Sequence, residues 1–168
     1  MNPDLFWIPG PWPGRLAVIT RPRGGDWIED EVDGWKRAGL ELIVSLLENE
    51  EANQLELADE NVKASSRGIR FISFPIPDRG VPASLPDAVG LLREIVKELG
   101  QGKNVAVHCR QGVGRSGMIA SGALVMSGSG PQPAIEAVSA ARGQQVPETP
   151  SQLRWIQNLP TELLVGTR

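Results

Sequence analysis

The sequence predicts an α/β fold: a single domain with a central, mostly parallel sheet of about four or five strands flanked by helices. Three observations carry that prediction. Short apolar runs rich in branched residues alternate with segments of helical period. One run, Leu40–Leu47, is nearly continuous in apolar character, as a strand covered on both faces is. The last run leads directly into a glycine-bearing loop and then an apolar helix.

At 168 residues the chain has the size of one domain, able to bury roughly 70% of the surface its unfolded form exposes. Hydrophobic residues at 40% and charged residues at 22% exclude a disordered or fibrous class. Residues 1–14, interrupted by Pro3, Pro9, Pro11 and Pro13, predict an extended proline-rich lead-in and lack the order of a secretory leader. Residues 15–168 are then the single folded domain.

Leu16–Thr20 is the first strand expected, closed by Pro22 and the Gly24-Gly25 pair. Ile28–Gly39 carries Val32 and Trp35 at helical spacing and stops at a glycine. Leu40–Leu47 is the second strand. The acidic stretch Glu48–Ala64 follows as loop and helix, with Glu48, Glu50 and Glu51 read as a solvated surface rather than a metal cluster. Ile69–Phe74 is the third strand, ended by Pro75 and Pro77. Ser84 then caps a helix in which Val89, Leu92, Val96 and Leu99 form one apolar stripe and Gly100 marks the end. Asn104–His108 is the fourth strand, followed by helices over Met118–Met126, Pro133–Ala141 and Ser151–Leu159.

Charge and cysteine content narrow the function. A net charge of −3 offers no basic footprint for a nucleic-acid backbone, so no nucleic-acid partner is expected. No apolar run approaches the ~20 residues that span a bilayer, so no membrane partner is expected either. The one cysteine cannot form an intramolecular disulfide, which fits a reducing, cytoplasmic setting and makes its thiol a candidate nucleophile.

That thiol, Cys109, stands six positions before Arg115, and Gly112 and Gly114 lie between them. A glycine loop at a helix start turns its amides toward an anion, the helix end adds partial positive charge, and an arginine fork binds two phosphate oxygens. Residues Arg110, Gln111, Gly112, Val113, Gly114 and Arg115 therefore form a candidate phosphate-binding loop. The same field favours thiolate over thiol, so Cys109 is expected to rest as the nucleophile. Ser116 can donate its hydroxyl to the sulfur when the thiolate leaves, or bond at the helix start.

His108-Cys109-Arg110-Gln111-Gly112-Val113-Gly114-Arg115-Ser116 resembles the H-C-x5-R-S/T loop of the protein tyrosine phosphatase superfamily. Asp78, in Pro-Ile-Pro-Asp and 31 positions before the cysteine, matches the spacing of the compact dual-specificity branch. The resemblance implies a phospho-cysteine intermediate on Cys109, Asp78 as general acid and base, no metal, no cofactor, and a phosphorylated protein or peptide substrate. It implies that His108 supports the loop. Gln152 resembles the glutamine that positions the hydrolytic water in several members; equally, Thr149 or Ser151 caps the last helix while Gln152 faces solvent. Arg142 and Arg110 either add positive potential near the mouth or are solvated surface arginines. The chain has no tyrosine, so it lacks the tyrosine-bearing recognition loop of the larger classical members, which implies a shallower pocket.

Rival readings are weaker. Gly112-Val113-Gly114-Arg115-Ser116-Gly117 also spells G-x-G-x-x-G, but the helical segments after it supply no strand ending in an acid at the required distance. A non-catalytic phosphate-binding module would not need Cys109, Arg115 and Asp78 together. A phosphoinositide or an RNA 5′-phosphate as substrate stays open, although the loop carries Arg110 and no lysine.

Overall fold

The computed structural model describes residues 4–166, so residues 1–3 and 167–168, the outer ends of the predicted lead-in and domain, lie outside the described residues. Five strands, β1 (Leu5–Ile8), β2 (Leu16–Ile19), β3 (Leu42–Ser45), β4 (Arg70–Ser73) and β5 (Val105–His108), form one sheet in the order β1-β2-β5-β3-β4. β2, β5, β3 and β4 run parallel, and β1 pairs antiparallel to β2 with Leu5 opposite Ile19. This is the predicted α/β class, with one strand more than the four apolar runs indicate.

β1 falls inside the expected lead-in. Its Leu-Phe-Trp-Ile sequence carries aromatic and branched residues between Pro3 and Pro9 but is only four residues long and shows no alternation, so it is a weak strand signal within a proline-rich stretch. At the sheet edge it pairs on one side only, where neighbouring prolines are tolerated.

The helices are α1 (Ile28–Arg37), α2 (Asn49–Gln54), α3 (Glu60–Ser66), α4 (Leu85–Gly100), α5 (Arg115–Met126), α6 (Pro131–Arg142) and α7 (Pro150–Gly166). Strand side chains alternate between two cores. Leu16, Val18, Leu42, Val44, Val105 and Val107 pack with Leu92 and Ile95 of α4, Ile119 of α5, Val138 of α6 and Ile156 of α7. Ala17, Ile19, Ile43 and Ala106 pack on the opposite face with Val32 and Trp35 of α1 and Ala64 of α3. Both faces are covered, so β2, β3 and β5 are wholly buried, and their sequences are apolar up to the Ser45 and His108 that end β3 and β5. Ser84 caps α4 as expected, its hydroxyl accepting from the Asp87 N–H at 3.2 Å.

The acidic stretch folds as two short helices, α2 and α3. α5 begins at Arg115 rather than Met118, so the glycine loop is compact. The central strand β5 lies between β2 and β3, and its carboxyl end opens the crevice where parallel sheets bind ligands. Among the described residues no helix is long and apolar enough to cross a membrane.

Candidate active site

A cavity of about 210 Å³ opens at that end of β5, lined by Asp78, Arg79, Cys109, Arg110, Gln111, Gly114, Arg115 and Glu148. Four of these residues come from the loop joining β5 to α5, and Arg115 opens α5 itself. Two glycines give the loop its path. Gly112 sits at φ +73°, a conformation that costs glycine little and other residues more. A Cβ on Gly114 would stand 3.0 Å from a Glu148 carboxylate oxygen and 3.1 Å from Oε1 of Gln152. Cys109 is 3% exposed, at the floor of the opening.

Arg115 is the first residue of α5 and is 2% exposed. Its guanidinium meets Glu51 in a two-pronged pair, Nη1 to Oε1 at 2.6 Å and Nη2 to Oε2 at 3.0 Å. Nη1 also donates to the Ile76 carbonyl at 2.9 Å, and Nη2 stands 3.4 Å from Oδ1 of Asp78. Arg115 thus links the cysteine loop, α2 and the loop after β4. Burial pulls its pKa down, but the Glu51 hydrogen bond and the negative groups at Cys109, Glu51 and Asp78 outweigh that, and the net shift is upward. The charge is permanent.

Asp78 lies in a tight turn closed by the Gly80 N–H on the Pro77 carbonyl at 2.8 Å, with Arg79 at φ +62°. Its side chain is half exposed and lines the same cavity as Cys109. His108 is fully buried; its Nε2 meets Oε2 of Glu60 at 2.5 Å, and its Nδ1 stands 3.4 Å from the Cys109 carbonyl. The geometry brings a thiol, a buried cation, a carboxyl group and a helix start to one small opening, which suits a tetrahedral anion.

Residues 17–129 match the family described as polymorphic toxin system, DSP-PTPase phosphatase, about two thirds of the chain. The chain belongs to that family. The 197R protein of Invertebrate iridescent virus 6 is 27% identical over 92% of the chain, which spans 56% of that protein's length. The structure of Tk-PTP in its active form superposes with a TM-score of 0.79 at 30% identity, covering 96% of this chain and 99% of that one. Kinase associated phosphatase, solved with its catalytic-site cysteine replaced by serine, shares the fold with a TM-score of 0.88 at 18% identity over 98% of this chain and 97% of its own. PTPMT1 in complex with PI(5)P shares it at 0.75 and 19%, over 91% and 94% of the two chains.

Two carboxylates turn inward, Glu51, which was expected at the surface, and Glu60, which was not singled out. Glu48, Glu50 and Glu51 are expected as a solvated surface. Glu51 is instead 8% exposed, because Arg115 cannot be buried without a partner. Glu51 also accepts from the Glu48 N–H at 3.1 Å, closing a capping box that fixes the start of α2. Glu60, in the same stretch, is 2% exposed against His108.

Gln152 does not face solvent. It is fully buried, and its Oε1 accepts from the N–H groups of Glu148 and Thr149 at 3.2 Å each. The Thr149 hydroxyl accepts in return from the Gln152 N–H at 3.3 Å, the reciprocal arrangement of a capping box. Gln152 Nε2 donates to the Gly80 carbonyl at 3.0 Å, and Arg79 pairs with Glu148 at 2.7 Å, so the start of α7 grips the Asp78 turn. Arg142 is not a free surface arginine: it donates to the carbonyls of Gln111 and Gly112. Ser116 is fully buried and its Oγ has no hydrogen-bond partner among the described residues. Among the described residues no cluster of three or more His, Cys, Asp and Glu side chains could hold a metal.

Glu51→Ala should strand the buried Arg115 cation and cost about 3–5 kcal/mol in denaturant unfolding, the range for a broken buried pair, with phosphate affinity falling alongside. A loss under about 1 kcal/mol would make the pair no better than a surface contact. The pair also has a pH signature. The Arg115 hydrogen bond holds the Glu51 pKa below the usual carboxylate range against the opposing effect of burial. A lowered folded pKa gives stability that is complete above the ordinary glutamate range and is lost as pH falls through the lowered value. Part of the acid-side loss of stability should vanish in Glu51→Ala.

Proposed function

We propose that this phosphatase hydrolyses phosphotyrosine, and more slowly phosphoserine and phosphothreonine, in proteins or peptides, through a phospho-cysteine on Cys109. One observation carries the reading: the cavity of about 210 Å³ lined together by Cys109, Arg115 and Asp78. The amides of Arg110–Gly114 and the Arg115 fork hold the phosphate oxygens. The Cys109 thiolate attacks phosphorus as the bond to the leaving oxygen breaks, and Asp78 gives that oxygen its proton. Asp78, now a carboxylate, takes a proton from water as the water attacks phosphorus. The P–S bond breaks, phosphate departs and the thiolate returns. Ser116, whose buried hydroxyl is uncommitted, donates to the departing sulfur.

His108 and Glu60 support the loop from behind. The role of Gln152 is to hold the Asp78 turn, because its amide donates to the Gly80 carbonyl there while its carbonyl oxygen is fixed by the Glu148 and Thr149 N–H groups at the start of α7. Turnover measured side by side on a phosphotyrosine peptide, a phosphoserine peptide, a phosphoinositide and an RNA 5′-phosphate tests the assignment. Phosphotyrosine should lead. A phosphoinositide or an RNA end turned over orders of magnitude faster would overturn the protein-phosphatase reading and leave the chemistry standing. Phosphate binding without any turnover would reduce the chain to a binding module.

A further inference from the structure

Arg142 stands outside the set of residues that line the cavity, yet its side chain ends on the backbone of the cysteine loop. It is the last residue of α6, and the chain turns away at Gly143 with φ +82°. Its Nε donates to the Gly112 carbonyl at 2.9 Å and its Nη2 to the Gln111 carbonyl at 3.1 Å. The Phe6 ring of β1 covers the guanidinium, with its centroid 4.3 Å from Cζ. One edge of the cation is thus spent on two successive loop carbonyls and one face on the edge strand.

Peptide planarity turns that grip into cradle geometry. In a trans peptide the C=O and the following N–H point in opposite directions. Holding the carbonyls of Gln111 and Gly112 toward Arg142 therefore aims the N–H groups of Gly112 and Val113 away from it. Gly112, at φ +73°, has the freedom to let either peptide plane turn over. We propose that Arg142, backed by Phe6, is a positioning residue that locks the Gly112 and Val113 amides in the anion-binding orientation. The inference rests on the phosphatase reading above. The alternative is that Arg142 only complements the C-terminal end of α6, as a cation in a last helical turn does.

Steady-state kinetics with an aryl phosphate, inhibition by inorganic phosphate and vanadate, and thermal unfolding of the full chain separate the two. Arg142→Ala should raise KM and weaken both inhibitors by about ten- to hundredfold, the scale of two lost charge-assisted hydrogen bonds, with a smaller change in kcat. Millimolar guanidinium should restore part of that loss in Arg142→Ala and do nothing for wild type. Arg142→Lys keeps the charge without the two-pronged donor and should recover only a fraction. Phe6→Leu should shift the inhibition constants in the same direction by about two- to fivefold. Inhibition constants within about twofold of wild type in Arg142→Ala would overturn the proposal. So would wild-type anion affinity in Arg142→Lys, which decides the matter should the alanine variant unfold. Wild-type protein inert toward every phosphate ester would sink the phosphatase reading itself; active wild type with an indifferent Arg142→Ala would sink this inference alone.

Discussion

Cys109→Ser will abolish turnover of every phosphate ester while inorganic phosphate still binds. The substitution exchanges a sulfur for an oxygen at a site 3% exposed and leaves the loop amides and the Arg115 fork in place. A serine hydroxyl held there without a base stays protonated, and as a leaving group it is far worse than thiolate, so both half-reactions stall. Binding and chemistry therefore separate: calorimetric phosphate affinity should stay near the wild-type value as the rate drops to background. Activity within about tenfold of wild type would remove Cys109 from the mechanism. Loss of phosphate binding in a folded variant would mean that the sulfur, rather than the amides and Arg115, supplies the anion affinity.

How much of this could be read in advance depended on sequence distance. The place of the cysteine loop was legible because Cys109, Gly112, Gly114 and Arg115 lie within seven successive positions bounded by an apolar strand and an apolar helix. The turn that carries Asp78 was legible through its prolines, and the structure sets that turn on the wall of the same cavity. Glu51 and Glu60 were not, since their partners lie 64 and 48 residues away and a carboxylate in a polar helix is by default solvated. A signal existed. A buried arginine at a helix start demands a counter-charge, and Glu51 stands three residues after Glu48, at the third position of a helix that follows the neighbouring strand β3. β1 was hidden by its prolines and by the absence of alternation, and with it went any view of Phe6 against Arg142. Gln152 was seen as either a water-holder or a solvent-facing residue; its burial follows from the contact between the start of α7 and the Asp78 turn, which no local pattern encodes.

Asp78→Asn should lower turnover of phosphotyrosine by about 10²–10⁴-fold, the usual worth of general acid–base catalysis. In the proposed mechanism Asp78 gives a proton in the first step and acts as a free carboxylate in the second, and it lines the same cavity as Cys109 with its Oδ1 3.4 Å from the Arg115 guanidinium. The loss should shrink for esters of acidic phenols, which depart without a proton, and grow for alkyl phosphates, which do not. Ground-state binding should persist, so the variant should retain phosphorylated partners that wild type releases. Wild-type rates on both ester classes across the pH range would reduce Asp78 to a turn residue. The acid would then be sought at Glu148, the other carboxylate on the cavity wall, since Glu51 is committed to Arg115.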